Sequence, residues 1–486
     1  MRFATLLESL PSMGGIVFPD GRRGTAELRD LAFRAARDLR ARGVHPGDAV
    51  VAMLENSIEF VAAWFGAALA GARFVPLNTR LRGETLRYIV QDAKARVLVA
   101  DASFAECLAA AGADGIVEAQ SWLASLADGD RGAADAEGGL VIYTSGTTGR
   151  PKAVEWTSET QALHAWSYGA ELVPVGEGEH CYSCLPLFHV TCMGVAMSAL
   201  IRGATVHIDP RFSVSQFWPR IAETRAVFFP YVGSILSLLL KDERSAPTHG
   251  VRSAMGAAAP AETFSRFQER FGIALLETYG QTELGAIWLA NHARVAGSVG
   301  RGCPRADFRL VPVAGIDLAS ELQVRPTVAH AMMAGYRGNP AANAEAYADG
   351  WYRTRDLMTV DAEGNYYFGG RLADCVRRRG ENVSCFEVEQ AVLRNPRVLE
   401  AAVVGVDSEL GEQDLALYYV PRPAATLEPP ELHAWCRAQL ADFMVPRYVV
   451  PVSEFPKTQT QRVQKGILHD TVRLRGGYDA EKAMKP

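Results

Sequence analysis

The chain has 486 residues, of which 48% are apolar and 22% charged, and its formal net charge is −5. That length exceeds what one hydrophobic core serves, so a large domain with a smaller companion is expected. The composition excludes a largely disordered or collagen-like chain, and the acidic balance excludes the basic footprint that nucleic-acid binding needs.

The opening "MRFATLLESLPSMGG" has a short apolar run broken by Glu8 and lacks the core of a signal peptide. No later segment offers about 20 uninterrupted apolar residues, so no membrane span is expected and the protein is placed in the cytoplasm. Residues 27–44 carry Leu28, Leu31, Ala32, Ala35 and Leu39 at helical spacing with arginines between them, and Gly43 stops the pattern. "DAVVAML" then reads as a buried strand, "SIEFVAAWFGAALAGA" as a helix and "RFVPLN" as a strand. "RVLVAD", "LVIYTSG", "ATVHID" and "AVFFPYV" continue the alternation, which is that of an α/β domain with largely parallel sheets. The Ala/Gly-rich tract 111–139 reads as loop and short helix.

Past residue 300, "SELQVRP", "GWYRTRDLMTVDAEGNYYFGGR" and "ALYYVPRP" are short strands separated by turn residues. They predict a β-rich end to the large domain, then a smaller α+β domain. The junction is placed at "GGRLADCVRRRG", after which "SCFEVEQAVLRNP" begins a fresh helical pattern. No repeat is visible. The eight cysteines lack paired metal-ligand spacing, since Cys181 and Cys184 have no matching second pair; they read as reduced thiols.

The most informative segment is "YTSGTTGRPKAV", residues 143–154. Its hydroxyl residues and glycines let backbone N–H groups and side chains converge on phosphate oxygens, with Lys152 adding positive charge. It is not the nucleotide hydrolases' P-loop, because G-x-x-x-x-G-K-S/T does not occur.

Together with "LPLFH", "ETYGQTE", "GSVG", "GWYRTRDL", "GGRLAD", "GENVSCFEVE" and "PKTQTQR", in this order over nearly the whole chain, that segment resembles the adenylate-forming superfamily, the acyl-CoA synthetases and their relatives. The resemblance implies an α/β fold: a large N-terminal domain, 1–373, with αβ-layered sheets and a small β-barrel-like part, plus a small mobile α+β C-terminal domain, 374–486, turning about a hinge at Asp374. It also implies two half-reactions. A carboxylate attacks the α-phosphate of ATP to give an acyl-adenylate and pyrophosphate; the thiol of coenzyme A then displaces AMP.

By the same resemblance, Thr144, Ser145, Gly146, Thr147, Thr148, Gly149 and Lys152 hold the nucleotide's phosphates, and Thr282 meets the α-phosphate. Glu283 is the implied ligand of Mg2+, the cation that a carboxylate beside a polyphosphate requires. Tyr279 and Gly280 flank the adenine, while Asp356 and Arg371 take the ribose. Arg355 stands where the family usually has glycine, and either crowds the nucleotide or contacts a phosphate. His189 takes the place of an aspartate found in amino-acid-activating relatives, which favours an uncharged acid; it is either a gate between acid pocket and thiol channel or a core histidine. Phe229, Tyr231, Val232, Gly233, Gly256, Ala257 and Ala258 bound the acid pocket, their small side chains suiting a bulky hydrophobic acid or reflecting tight packing. Gly380, Glu381 and Asn382 belong to the thioester-forming loop, where Arg377, Arg378 and Arg379 either meet CoA phosphates or form a solvated face.

The family's closing signature reads P-K-T-x-x-G-K, its last lysine bridging the substrate carboxylate and the α-phosphate during adenylation. Here the aligned residues are Pro456, Lys457, Thr458, Gln459, Thr460, Gln461 and Arg462. A planar guanidinium does not fit where a slender ammonium does, and misplacing one electrostatic donor costs about a hundredfold to a thousandfold in rate. Gln461 also removes the backbone freedom of glycine. Lys457 and Lys465 are several residues away, so either could replace the lysine only through a shifted loop. The expectation is an acyl-CoA ligase acting on a hydrophobic carboxylic acid, proficient with CoA and acyl-adenylate but impaired in adenylation, and served by a separate adenylating enzyme. The alternatives are a complete ATP-dependent ligase, a non-catalytic nucleotide-binding relative, and a carrier protein in place of CoA as acceptor. A homodimer is the assembly that relatives suggest.

Overall fold

The computed structural model describes residues 1–128, 138–144, 150–242, 248–314, 316–378, 381–407, 413–423, 425–457, 463–468 and 477–483, with 317, 318, 377, 381, 382 and 483 described in their backbone only. The chain forms two compact units, one of residues 1–307 with 326–345 and the other of 308–325 with 346–486.

The first unit holds two sheets, each parallel in the middle and antiparallel at an edge. Among the described residues the larger sheet has nine strands. Its parallel core runs Gly15–Phe18, Thr205–Ile208, His180–Ser183, Phe228–Val232, Ser253–Ala257 and Ala274–Tyr279. The second sheet has seven: Ile116–Glu118, Ala95–Ala100, Ala49–Met53, Arg73–Pro76 and Leu140–Thr144 in parallel, then Lys152–Trp156 and Gly335–Tyr336 antiparallel at the edge. Strands such as "AVVAM" are buried along their whole length, as parallel strands covered on both faces must be.

The predicted first helix spans Thr25–Ala41 and packs its Leu28, Leu31, Ala35 and Leu39 inward. Helix Ile58–Leu69 is apolar and buried throughout except at Glu59 in its first turn. In the second sheet, Val51, Val75, Leu98 and Val141 pack with Leu86 and Ile89 of helix Gly83–Ala93. Four strands of the parallel cores end at Thr144, Val232, Ala257 and Tyr279. In open α/β sheets, ligands bind outside such carboxyl ends.

The second unit contains a sheet with Ala306–Val313, Ile316–Pro326, Trp351–Val360 and Tyr366–Arg371. It also contains an α+β body in which helices Cys385–Leu393 and Pro429–Gln439 accompany strands Val398–Asp407, Gln413–Pro421 and Tyr448–Pro451. Val388, Val392, Val403, Leu417, Leu432 and Val449 form part of its core. No helix among the described residues is long and apolar enough to cross a membrane.

Candidate functional site

Strands Leu140–Thr144 and Lys152–Trp156, which flank the glycine-rich segment, are antiparallel neighbours with Thr144 opposite Lys152. Ser145, Gly146, Thr147, Thr148 and Gly149 lie outside the described residues. The hydroxyl of Thr144 donates to Glu283 Oε1 at 3.3 Å, and the hydroxyl of Tyr336 donates to the same oxygen at 3.2 Å. Lys152 Nζ stands 4.8 Å from the centre of the Tyr336 ring. Three residues expected from sequence are therefore brought together, with Tyr336 as a fourth that sequence reasoning missed. Asn343 holds Tyr336 in place: its Oδ1 accepts from the Tyr336 N–H at 2.7 Å and its Nδ2 donates to the Tyr336 carbonyl at 2.9 Å.

Thr282 and Glu283 sit on a single 3-10 turn, Thr282–Leu284, following strand Ala274–Tyr279. The turn is held by its carbonyls. Trp156 Nε1–H donates to that of Thr282 at 2.8 Å, and the Met333 N–H to that of Glu283 at 2.9 Å. His164 Nδ1 lies 2.8 Å from the Gly285 carbonyl and Nε2 3.4 Å from that of Val190, and the shorter contact to an acceptor-only carbonyl places the single proton of the neutral ring on Nδ1. His164 is buried between Trp156, Tyr168 and Trp288, and that burial pulls its pKa from 6.5 to about 4. It remains a neutral strut.

Three neighbouring strands place Tyr231, Gly256 and Glu277 in register. The Tyr231 hydroxyl reaches over to Glu277 Oε2 at 2.7 Å, while the Ala259 N–H donates to Oε1 at 3.0 Å. Gly256 makes this possible: a Cβ there would lie 2.5 Å from Tyr231 Cδ2 and 2.1 Å from its carbonyl oxygen. At Gly233 a Cβ would come 1.9 Å from the Ala258 carbonyl oxygen, so close packing accounts for both glycines. Phe229 is buried against Phe217 and Phe267, Val232 and Ala257 are half-buried, and Ala258 is exposed. Burial raises the Glu277 carboxyl to about 7. Tyr279 is buried and its hydroxyl accepts from Gln281 Nε2 at 3.2 Å, while Gly280 is exposed. His189 is half-buried, caps helix Val190–Ile201 and has its ring 4.8 Å from that of Phe188.

In the second unit, Asp356 and Arg371 are partners on adjacent strands, with Arg371 Nε 3.5 Å from Asp356 Oδ1. Asp356 is 3% exposed. Asp356 lies within a bulge, because the ladder pairs Glu321 with Leu357 but Gln323 with Arg353. Within that bulge Arg355 has φ 57°; a glycine would take this conformation freely.

On either side of residues 458–462, Lys457 and Val463 form an antiparallel bridge. Lys457 Nζ pairs with Glu400 at 2.6 Å, and Lys465 Nζ with Glu389 at 2.8 Å and with Asp374 at 3.8 Å. Both lysines flanking residues 458–462 are thus engaged in ion pairs. Arg462, like Gln461 and Gly380, lies outside the described residues, and of Glu381 and Asn382 only the backbone is described. Arg378 corrects both readings of its triplet: it is buried, pairs with Asp414 at 3.2 Å, and donates to the carbonyls of Phe443 and Val445. It is a core cation of the C-terminal body.

Residues 15–323 match the AMP-binding enzyme family, and residues 387–462 match the AMP-binding enzyme C-terminal domain. The chain belongs to the AMP-binding enzyme family. Within that family it stands among the acid–thiol ligases. It is 32% identical to the sulfoacetate–CoA ligase of Cupriavidus necator over 88% of each chain, and 31% identical to the long-chain-fatty-acid–CoA ligase FadD13 of Mycobacterium tuberculosis over 93% of each. The ATP-bound MatB of Rhodopseudomonas palustris superposes with a TM-score of 0.87 at 26% identity, over 97% of this chain and 99% of that one.

The site suits the cation implied for this AMP-binding enzyme. Mg2+ takes hard oxygen donors, usually one or two carboxylates with substrate phosphates and waters filling the rest. Glu283 and the Thr144 hydroxyl are such donors, and among the described residues no cluster of three or more His, Cys, Asp or Glu forms an all-protein cage. When bound, Mg2+ would neutralise charge on the polyphosphate. Tyr336, His164 and Glu277 escaped sequence reasoning because each is a single residue far along the chain from its partners. Glu277, two residues before Tyr279 inside "ETYGQTE", was the most accessible of the three.

Proposed function

We propose that this AMP-binding enzyme makes the CoA thioester of a hydrophobic carboxylic acid, performing the acyl-adenylate-to-thioester step well and the adenylation step poorly. One observation carries the reading: Gln461 and Arg462 occupy the family's Gly-Lys positions, while Lys457 and Lys465 are held in ion pairs at the neck of the same segment. Thr144, Lys152 and Thr282 serve the phosphates, Glu283 the Mg2+, Tyr279 the adenine, and Asp356 with Arg371 the ribose. His189 gates the acid, whose pocket is bounded by Tyr231, Val232 and Ala257. Residues 1–373 act as the AMP-binding domain and 374–486 as the lid, with Asp374 as hinge. A separate enzyme supplies the adenylate, and the eight free thiols suit a reducing compartment.

The acid is tested by screening hydrophobic carboxylates both free and as synthetic adenylates. The expected outcome is CoA consumption from the adenylate together with slow ATP–pyrophosphate exchange from the free acid. The double substitution Gln461→Gly with Arg462→Lys should raise exchange by about a hundredfold or more and leave the thioester step unchanged. Brisk exchange by the unsubstituted protein defeats the reading in favour of a complete ligase. Absence of both activities favours the non-catalytic relative, and a phosphopantetheinylated carrier consumed in place of CoA would move the acceptor.

A further inference from the structure

Asn56 is 7% exposed and lies just beyond the carboxyl end of strand Ala49–Met53, one residue before Ser57, whose hydroxyl caps helix Ile58–Leu69. Its carboxamide reaches two segments that belong to the other sheet of the same unit. Nδ2 donates to the Leu185 carbonyl at 3.0 Å and to the Asp209 carbonyl at 2.9 Å, and Oδ1 accepts from the Leu187 N–H at 2.7 Å. The partners fix which way the amide points, because carbonyls only accept and a backbone N–H only donates. Both amide protons and the oxygen are engaged.

One end of this arrangement is a rigid anchor. Asp209 follows strand Thr205–Ile208, and its carboxylate takes the Arg220 guanidinium at 2.9 to 3.2 Å and the Tyr182 hydroxyl at 3.0 Å, while its N–H donates to the Ser183 carbonyl at 2.9 Å. The other end is the irregular stretch from Cys184 to His189, between strand His180–Ser183 and helix Val190–Ile201. Pro186 interrupts that stretch and has no N–H to give. The backbone groups on its two sides, the Leu185 carbonyl and the Leu187 N–H, are the two that Asn56 pairs. The Pro186 carbonyl in turn accepts from the His189 N–H at 3.1 Å. Asn56 thus brackets the proline on which the His189 backbone rests.

Only asparagine meets these demands. Aspartate would turn an oxygen towards two carbonyls, alanine would leave buried backbone groups unpaired, and glutamine is a methylene too long. We infer that Asn56 is a positioning residue for acid binding, its carboxamide fixing the Pro186 backbone and through it the place of His189 beside the acid. That role presupposes the reading of His189 as the acid gate given above.

The test is calorimetry on the full chain with AMP and with the non-hydrolysable acyl-sulfamate analogues of benzoyl- and octanoyl-adenylate, read as the ratio of analogue to AMP affinity. Asn56→Asp should lower that ratio about tenfold, with AMP affinity unchanged as the sign of an intact fold. Asn56→Ser, which keeps one hydroxyl donor, is the milder variant and should lower it less. His189→Ala should lower the ratio by itself, and adding Asn56→Asp should then cost nothing more, because a residue acting through another has no effect once the other is gone. Equal losses for AMP and analogue, or losses that add in the double variant, mean that Asn56 serves the fold alone and overturn the inference. A ratio unchanged in both Asn56 variants does the same. If His189→Ala lowers the ratio while the Asn56 variants do not, the gate reading stands and only the role of Asn56 falls; if His189→Ala leaves the ratio unchanged, both fall.

Discussion

At the scale of single residues, the site depends on how one carboxylate is held. Glu283 presents an oxygen that accepts from both Thr144 and Tyr336, and Lys152 stacks on the ring of the same tyrosine. Removing the tyrosine hydroxyl removes one bond to a charged acceptor, worth about 1.5 kcal/mol or more. Tyr336→Phe should therefore weaken Mg2+–ATP binding about tenfold, measured by calorimetry, with adenosine binding unchanged. Equal losses for both ligands would show that Tyr336 acts through the fold instead. Thr144, Lys152 and Glu283 were legible because each belongs to a run of residues whose chemistry is local. Tyr336 was not, since "AGYRGNP" has no charged or repeated residues to single it out and its partner lies far away in sequence. Arg378 misled for a related reason. A charge run suggests one solvated face, but in a strand successive side chains point to opposite faces, and Arg378 faces the buried Asp414.

At the scale of elements, the segment carrying Arg462 is defined by its neck. Lys465 is bonded to Glu389, which is buried and also accepts from the Val403 N–H at 2.6 Å. Removing one member of a buried pair strands the other, which costs about 3 kcal/mol or more, whereas replacing both is far milder. Lys465→Met should destabilise the C-terminal body by that amount in chemical denaturation, and adding Glu389→Met should recover most of it. Additive losses would mean that the two side chains do not depend on each other. In this body the sequence predicts the helix that became Cys385–Leu393; "ALYYVPRP", expected at the end of the large domain, falls in strand Gln413–Pro421 of this body instead, and the neck was not foreseen. From the sequence Lys457 and Lys465 look uncommitted because their acidic partners, Glu400 and Glu389, lie tens of residues away.

At the scale of the whole molecule, two buried titratable groups oppose one another. The Glu277 carboxyl is raised from 4.5 to about 7 by burial. Between those values the folded chain keeps a proton that the unfolded chain has released, so this group's contribution to stability is full below pH 4.5 and is lost as pH rises to 7. The His164 ring is lowered from 6.5 to about 4 by burial. There the unfolded chain holds a proton that the folded chain lacks, so its contribution is full above pH 6.5 and is lost as pH falls to 4. Each is on the order of 3 kcal/mol, and over the shared window the two largely cancel. Denaturation curves at pH 5 and pH 7 should show Glu277→Gln gaining stability relative to the unsubstituted protein as pH rises, and His164→Gln gaining as pH falls. Parallel pH dependence in all three proteins would refute both assignments.

The same division runs through the molecule. By itself the sequence determined the α/β class, the alternation of strands and helices, the free thiols and the family, because each is written in local periodicity or in short runs of neighbouring residues. Only the tertiary structure decided that Tyr336 shares an oxygen of Glu283 with Thr144, that Gly256 lets Tyr231 reach Glu277, that Arg355 bears strain beside Asp356, and that Lys457 and Lys465 are already engaged. Those are contacts between residues distant along the chain, set by strand register and close packing, and one linear pattern cannot encode which distant partner a side chain meets.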